Sequence, residues 1–125
     1  MIKKLLLALI LIGASVSSIR AEIHDTYLPG AKASLKDKKT LIVVIGAEDW
    51  WPTCVRFQAE IRKNASVADG VNLAFEEYDT EWGKKIYKGT SVPALVKYKW
   101  DGKKWTRTVR IGYLSMKNLK RFINE

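Results

Sequence analysis

The chain has 125 residues, a formal net charge of +9 and 47% hydrophobic residues. This length accommodates one compact domain and excludes two, and the apolar content excludes a disordered chain. The single cysteine, Cys54, excludes a disulfide bond within the molecule, and the positive charge favours anionic partners without fixing a function.

The first residues have the pattern of a secretory signal peptide. Lys3 and Lys4 precede an apolar run from Leu5 to Ile12, and small residues follow it. We therefore predict a signal peptide over residues 1–21, a mature domain over residues 22–125, and a periplasmic or secreted location. No later run is apolar for 18 positions, so no transmembrane helix is expected after cleavage. An uncleaved membrane anchor is the alternative.

The N-terminal half of the domain is predicted to alternate between helix and strand. Glu22 to Pro29 is expected to be irregular, and Ala31 to Lys38 is expected to form a short basic helix or turn. The β-branched run Leu41–Ile45 is typical of a strand that is buried on both faces. Pro52 then suits the first turn of a helix reaching about Asn64, because its missing N–H would have no intrahelical partner there.

The C-terminal half is predicted to contain a strand, a helix, a β-hairpin and a closing helix. The hairpin surrounds Asp101-Gly102, a strong turn signal, and Ser115 is the expected N-cap of the last helix. This order predicts an α/β fold, with a central mixed sheet of about four strands and helices on both faces. The predicted elements are Asn72–Tyr78, Thr80–Lys88, Ala94–Trp100, Thr106–Ile111 and the helix after Ser115.

Three separated segments resemble the thioredoxin superfamily. The strand and loop ending in Cys54 are similar to the family's Trp-Cys-x-x-Cys loop, with Trp50 at the motif's tryptophan. Thr90–Val96 resembles the cis-proline loop, and Val109–Ser115 resembles the strand, glycine and capped helix that end the fold. The three segments lie in register, so the resemblance implies a thioredoxin-like fold.

The resemblance also implies what the chain has lost. In the degenerate motif Trp51-Pro52-Thr53-Cys54, Trp51 stands where the family has its nucleophilic first cysteine, and Cys54 corresponds to the resolving cysteine. Ile45 stands where the family often carries a buried acid. One thiol cannot both attack a disulfide and resolve the mixed disulfide that follows. Dithiol oxidoreductase turnover is therefore not expected of the monomer.

The resemblance favours a non-catalytic, exported module that binds a protein or peptide partner or acts like a chaperone. In the family, extended peptides lie against the motif loop and the cis-proline loop. Tryptophan is a common binding hot spot, and the alternative is that Trp51 packs on its own domain. The expected groove consists of Trp50, Trp51, Pro52, Thr53, Cys54, Val92, Pro93 and Gly112.

Other roles of Cys54 remain open. As a reactive thiol it would exchange disulfides with the help of an external thiol such as glutathione, and it could also link a homodimer. Alternatively it is a buried core residue that shares a helix face with Phe57 and Ile61. With one histidine, His24, far from the one cysteine, no metal site, Cys–His pair or cofactor is expected.

Basic residues crowd the predicted hairpin and are interleaved with Trp100 and Trp105. Such a mixture suits an anionic surface such as lipid head groups or an envelope polyanion, and export argues against nucleic acid. Lysines that protect the edge of a sheet are the alternative. The predicted patch consists of Lys97, Lys99, Lys103, Lys104, Arg107 and Arg110.

Overall fold

The computed structural model describes residues 20–47 and 51–125. Within them, strands β1 to β5 form one sheet with the order β1-β3-β2-β4-β5. β3 pairs in parallel with β1 and β2, whereas β4 pairs antiparallel with β2 and β5 pairs antiparallel with β4. The strands are β1 (Glu22–His24), β2 (Leu41–Gly46), β3 (Asn72–Glu77), β4 (Ala94–Trp100) and β5 (Trp105–Ile111). The helices are α1 (Tyr27–Asp37), α2 (Pro52–Lys63), α3 (Glu81–Ile86) and α4 (Met116–Asn124), with a 3₁₀ turn at Ala65–Ala68.

The predicted α/β fold with a mixed sheet is confirmed, but the described sheet has five strands rather than about four. The expectation that Glu22 to Pro29 would be irregular is wrong, because β1 lies there and α1 begins at Tyr27. β1 exists through its pairing with Asn72–Ala74 of β3. Three residues are too few to show the alternation that marks a strand in a sequence.

The core lies on both faces of the sheet because β2 alternates its side chains between two layers of helices. Every residue of β2 is buried. Ile42 and Val44 pack with Phe57 of α2 in a cluster that also contains Leu119 and Phe122 of α4. Leu41, Val43 and Ile45 pack on the opposite face with Ile86 and Tyr87 at the end of α3. Because both faces of β2 are buried, its sequence is a continuous apolar run.

Two helices begin at side-chain caps. The Ser115 hydroxyl accepts a hydrogen bond from the Asn118 amide at 3.2 Å, as predicted for this N-cap. The Thr80 hydroxyl accepts one from the Gly83 amide at 3.0 Å. Gly83 is needed in this short helix because a Cβ there would collide with the Glu77 carbonyl oxygen.

The predicted signal peptide cannot be compared with the fold, because residues 1–19 lie outside the described residues. No helix in residues 20–47 and 51–125 combines the length and apolar character needed to span a bilayer.

Candidate functional site

Three chain segments that the sequence singled out meet at one end of the sheet. Ile45 of β2 lies opposite Ala94 of β4, and Ala94 lies opposite Ile111 of β5. The segment that leads from β2 to α2, the segment before β4 and the segment after β5 therefore emerge side by side. Trp50, the first predicted groove residue, lies outside the described residues.

The start of α2 presents an indole at the surface and buries the thiol. Trp51 is the N-cap residue, its side chain is 44% exposed, and its amide donates to the Ala47 carbonyl at 2.9 Å. Pro52 and Thr53 follow as exposed residues of the first turn. Cys54 is only 2% exposed and packs inward, on the same side of α2 as Phe57. The exposed start of α2 therefore carries an indole rather than a thiol.

The loop before β4 contributes the opposite wall. The Val92–Pro93 peptide bond is cis, Pro93 is buried, and Val92 is half-buried. The Gly112 amide donates to the Pro93 carbonyl at 2.8 Å, which joins the end of β5 to this loop. Gly112 has φ +106°, a conformation that side chains disfavour, so a glycine suits this junction.

Three exposed apolar side chains at this end were missed by the sequence analysis. Val55 lies one turn beyond Trp51 on α2, Ile111 ends β5, and Tyr113 follows Gly112. They are 47%, 57% and 39% exposed, so with Trp51 they provide half of the eight large exposed hydrophobic side chains in the described chain. The only feature of the sequence that could have indicated them is the pair of hydrophobic residues, Ile111 and Tyr113, on either side of Gly112. Exposed apolar side chains gathered at one end of a fold are typical of an interaction surface.

Tyr113 is held against α2 in two ways. Its ring lies 5.2 Å from the ring of Phe57, centroid to centroid. A hydrogen bond with Glu60 is the main cause that raises the pKa of the Tyr113 hydroxyl above its ordinary value, with a smaller effect of burial. Tyr113 therefore remains a neutral phenol that spans the gap between α2 and the end of β5.

β2 contains no carboxyl group that could deprotonate Cys54. Ile45, which is fully buried, stands at the position where thioredoxins often have an acid. The buried acid of the described core is Glu76, on the neighbouring strand β3. One of its oxygens accepts from the Tyr27 amide at 2.9 Å and the other from the Thr80 hydroxyl at 2.6 Å. Glu76 therefore links α1 to the N-cap of α3 and has a structural role.

The six residues of the predicted basic patch do not form one surface. Lys97 is buried, and its Nζ donates to the Phe122 carbonyl at 2.8 Å and lies 4.7 Å from that ring. Burial lowers its pKa. Lys99 reaches the Glu125 carbonyl on the same face, whereas the Arg107 guanidinium reaches the Ile86 carbonyl on the other. The prediction that Lys97 belongs to an exposed patch is therefore wrong, because the end of α4 lies over it.

The remaining members of the patch lie at the hairpin or on β5. Trp100 and Trp105 are paired across the turn, with ring centroids 5.4 Å apart. The amides of Lys103 and Lys104 donate to the Asp101 carboxylate, and these bonds lower its pKa. Arg110 is exposed on β5. These lysines therefore flank a well-formed turn.

No group of three or more metal-binding side chains occurs in residues 20–47 and 51–125. His24, the one histidine, forms a 3.2 Å hydrogen bond with the side-chain oxygen of Asn72. Asn72 in turn donates to the buried Ser34 hydroxyl at 2.9 Å. These hydrogen bonds link β1 and α1 to β3, so His24 has a structural role.

Comparisons with protein-family models and with curated proteins found no match. Solved structures do match. A thioredoxin from Thermus thermophilus superposes with a TM-score of 0.64 at 15% identity, covering 86% of this chain and 85% of its own. A thioredoxin from Fasciola hepatica gives 0.62 at 21%, covering 82% and 96%. Trxlp from Edwardsiella tarda gives 0.63 at 16%, covering 82% and 98%. The protein therefore has a thioredoxin-like fold.

Proposed function

We propose that this protein of thioredoxin-like fold is an exported, non-catalytic module that binds an extended protein or peptide segment, in the manner of a chaperone. The observation that carries the proposal is the start of α2, where the indole of Trp51 is exposed and the one thiol, Cys54, is 2% exposed. Exposed indoles anchor partners, whereas buried thiols rarely react.

The burial of Cys54 argues against disulfide exchange. A thiol attacks a disulfide as the thiolate, and an apolar environment disfavours that charged form. An incoming disulfide would also have to reach a sulfur that lies beneath the first turn of α2. The same barrier opposes a disulfide-linked homodimer. Exchange assisted by an external thiol and the linked dimer remain the competing roles, and the first experiment below separates them from the proposal.

The proposed groove offers both apolar contacts and backbone groups. Trp51 and Tyr113 supply exposed aromatic surface. No described residue forms a hydrogen bond with the backbone N–H or carbonyl of Val92, in the loop before β4. Unbonded backbone groups beside an apolar surface suit an extended peptide, which brings its own N–H and carbonyl groups.

The first test measures the reactivity of Cys54. We expect iodoacetamide at neutral pH to alkylate it at least about 100-fold more slowly in the native protein than in urea, because the reaction must await local opening. The protein should also fail to catalyse reduction of a protein disulfide by dithiothreitol. A native rate equal to the denatured rate, or a mixed disulfide trapped with glutathione, would instead support exchange through Cys54. A dimer band that is lost on reduction would support the linked homodimer.

The second test measures binding through Trp51. The probe is a fluorescein-labelled polypeptide, reduced and carboxymethylated so that it stays unfolded, and its anisotropy reports the Kd. Trp51→Ala is expected to raise the Kd about 30-fold, the loss typical of a tryptophan hot spot. Trp82→Ala is the matched control, because Trp82 is a tryptophan of similar exposure (37%) on α3 whose ring packs against Tyr27 and is not part of the predicted groove. Equal effects of the two substitutions would contradict the proposal.

A further inference from the structure

The basic residues of the chain are concentrated in its C-terminal part. Residues 82–125 carry twelve of the 22 lysines and arginines but only two of the 13 acidic residues, Asp101 and Glu125. This segment contains most of α3 together with β4, β5 and α4, and β4 and β5 lie at one side of the sheet. Its excess of basic over acidic residues favours acidic partners.

β5 is the outer strand on this basic side, and its free edge is regular. All seven of its residues pair with β4 without a bulge. The bonds from the Asp101 amide to the Lys104 carbonyl and from the Gly112 amide to the Pro93 carbonyl fix which residues face β4. Because inward and outward bonding alternates along an antiparallel strand, four residues direct their N–H and carbonyl groups outward. They are Trp105, Arg107, Val109 and Ile111.

No described residue bonds to these outward groups, and β5 itself contains no lysine. Lys97 and Lys99 belong to β4 and reach the end of α4. On β5 itself, the Arg107 side chain turns back to the Ile86 carbonyl at 2.7 Å. The edge is therefore a row of unpaired backbone groups without a covering element among the described residues.

A cavity of about 120 Å³ lies beside this edge. Tyr98 and Trp105 line it on the sheet, and Tyr27, Ala31 and Leu35 line it on α1. Leu35 is 58% exposed, and Trp105 is one of the four residues whose backbone faces outward. A strand added to β5 would carry every second side chain on the face that holds this cavity.

We propose that the outer edge of β5 binds an extended acidic peptide segment as a sixth strand, with an apolar side chain of that segment directed towards the cavity. Charge complementarity selects this occupant. A second copy of the chain would bring together two surfaces that are both rich in lysine and arginine, which opposes pairing. This edge shares Ile111 with the exposed apolar surface of the candidate site but includes neither Trp51 nor Tyr113, so either proposal can fail alone.

The test measures the hydrogen exchange of individual β5 amides in the whole protein, with NMR as the method of detection. The probe is a seven-residue, end-blocked peptide that alternates valine with glutamate. Without peptide, the amides of Thr106, Thr108 and Arg110 should exchange slowly, and those of Arg107 and Val109 rapidly. Saturating peptide should slow exchange of Arg107 and Val109 by at least about tenfold, since their N–H groups become bonded.

Two control peptides separate strand addition from simple attraction between charges. One alternates valine with lysine, and the other keeps the acidic sequence but is N-methylated at every amide, so that neither of its edges can donate. Neither should slow the exchange of Arg107 or Val109. Equal binding of the N-methylated peptide, or no gain of protection with the acidic one, would overturn the proposal and leave only a polyanion-attracting surface.

A variant supplies the same test from the protein's side. Val109→Pro removes an outward N–H without removing a bond to β4, which edge strands tolerate. It should weaken binding of the acidic peptide at least about tenfold, while the matched substitution Val109→Thr should not. Circular dichroism checks that both variants fold. If Val109→Pro does not fold, the N-methylated peptide decides the question alone.

Discussion

Replacing Phe57 with alanine is expected to lower the free energy of unfolding by about 3–5 kcal/mol, because the substitution leaves a cavity between α2 and the sheet. Phe57 is fully buried and packs in the cluster with Ile42 and Leu119. Its ring also lies 5.2 Å from that of Tyr113, so its loss should loosen the wall of the proposed groove. Urea denaturation followed by tryptophan fluorescence and circular dichroism measures the change.

Val55→Ala is the matched control for this prediction. Val55 lies on the same helix, two residues earlier, but is 47% exposed. Its truncation should change the free energy of unfolding by less than about 0.5 kcal/mol, as is usual at surface positions. A loss at Phe57 as small as the loss at Val55 would contradict the packing of α2 described above.

The second large effect is expected from Trp51→Cys, which should give the protein a disulfide-exchange activity that the proposed function does not expect of the parent. The introduced thiol would stand at the N-cap of α2, where the first-turn N–H groups and the helix dipole stabilise a thiolate. It attacks a substrate disulfide and releases one thiol. Cys54 then attacks the mixed disulfide, which releases the second thiol and leaves a bond between the two cysteines that dithiothreitol reduces.

The measurement is reduction of a protein disulfide by dithiothreitol, for which the variant should exceed the uncatalysed rate at least about tenfold. Trp51→Ser is the matched control: it also places a small polar side chain at the N-cap but adds no sulfur, and it should remain inactive. Two thiols that both stay alkylatable after oxidation of Trp51→Cys would show that positions 51 and 54 do not have the spacing that the resemblance implies.

The elements that the sequence predicts best are those whose signal is local. The run Leu41–Ile45 indicates a doubly buried strand because all five side chains are apolar, and both faces of β2 are covered. Pro52 marks the first residue of α2, and Asp101-Gly102 marks the turn between β4 and β5. In each case the backbone conformation that the residues prefer is also the one they adopt in the fold, so the local sequence pattern is enough to predict the element.

What the sequence does not reveal depends on partners far along the chain. β1 has only three residues and is defined by β3, about fifty positions later. Lys97 occupies a strand position typical of an exposed lysine, yet it is buried under the end of α4, where its Nζ donates a hydrogen bond to the Phe122 carbonyl. Phe57 and Tyr113 become neighbours only when α2 and the end of β5 are assembled. No window of sequence contains these pairings.

The position of β2 in the sheet also bears on how the chain folds. It is the only described strand that bonds to both a parallel neighbour, β3, and an antiparallel one, β4. Within the sheet, the strands before and after residue 80 meet only through this strand. The β4–β5 hairpin pairs residues that are close in sequence, whereas both pairings of β2 join residues about thirty or more positions apart. We therefore expect the hairpin to form before β2 joins the two parts of the sheet, because contacts between distant residues require the closure of longer loops.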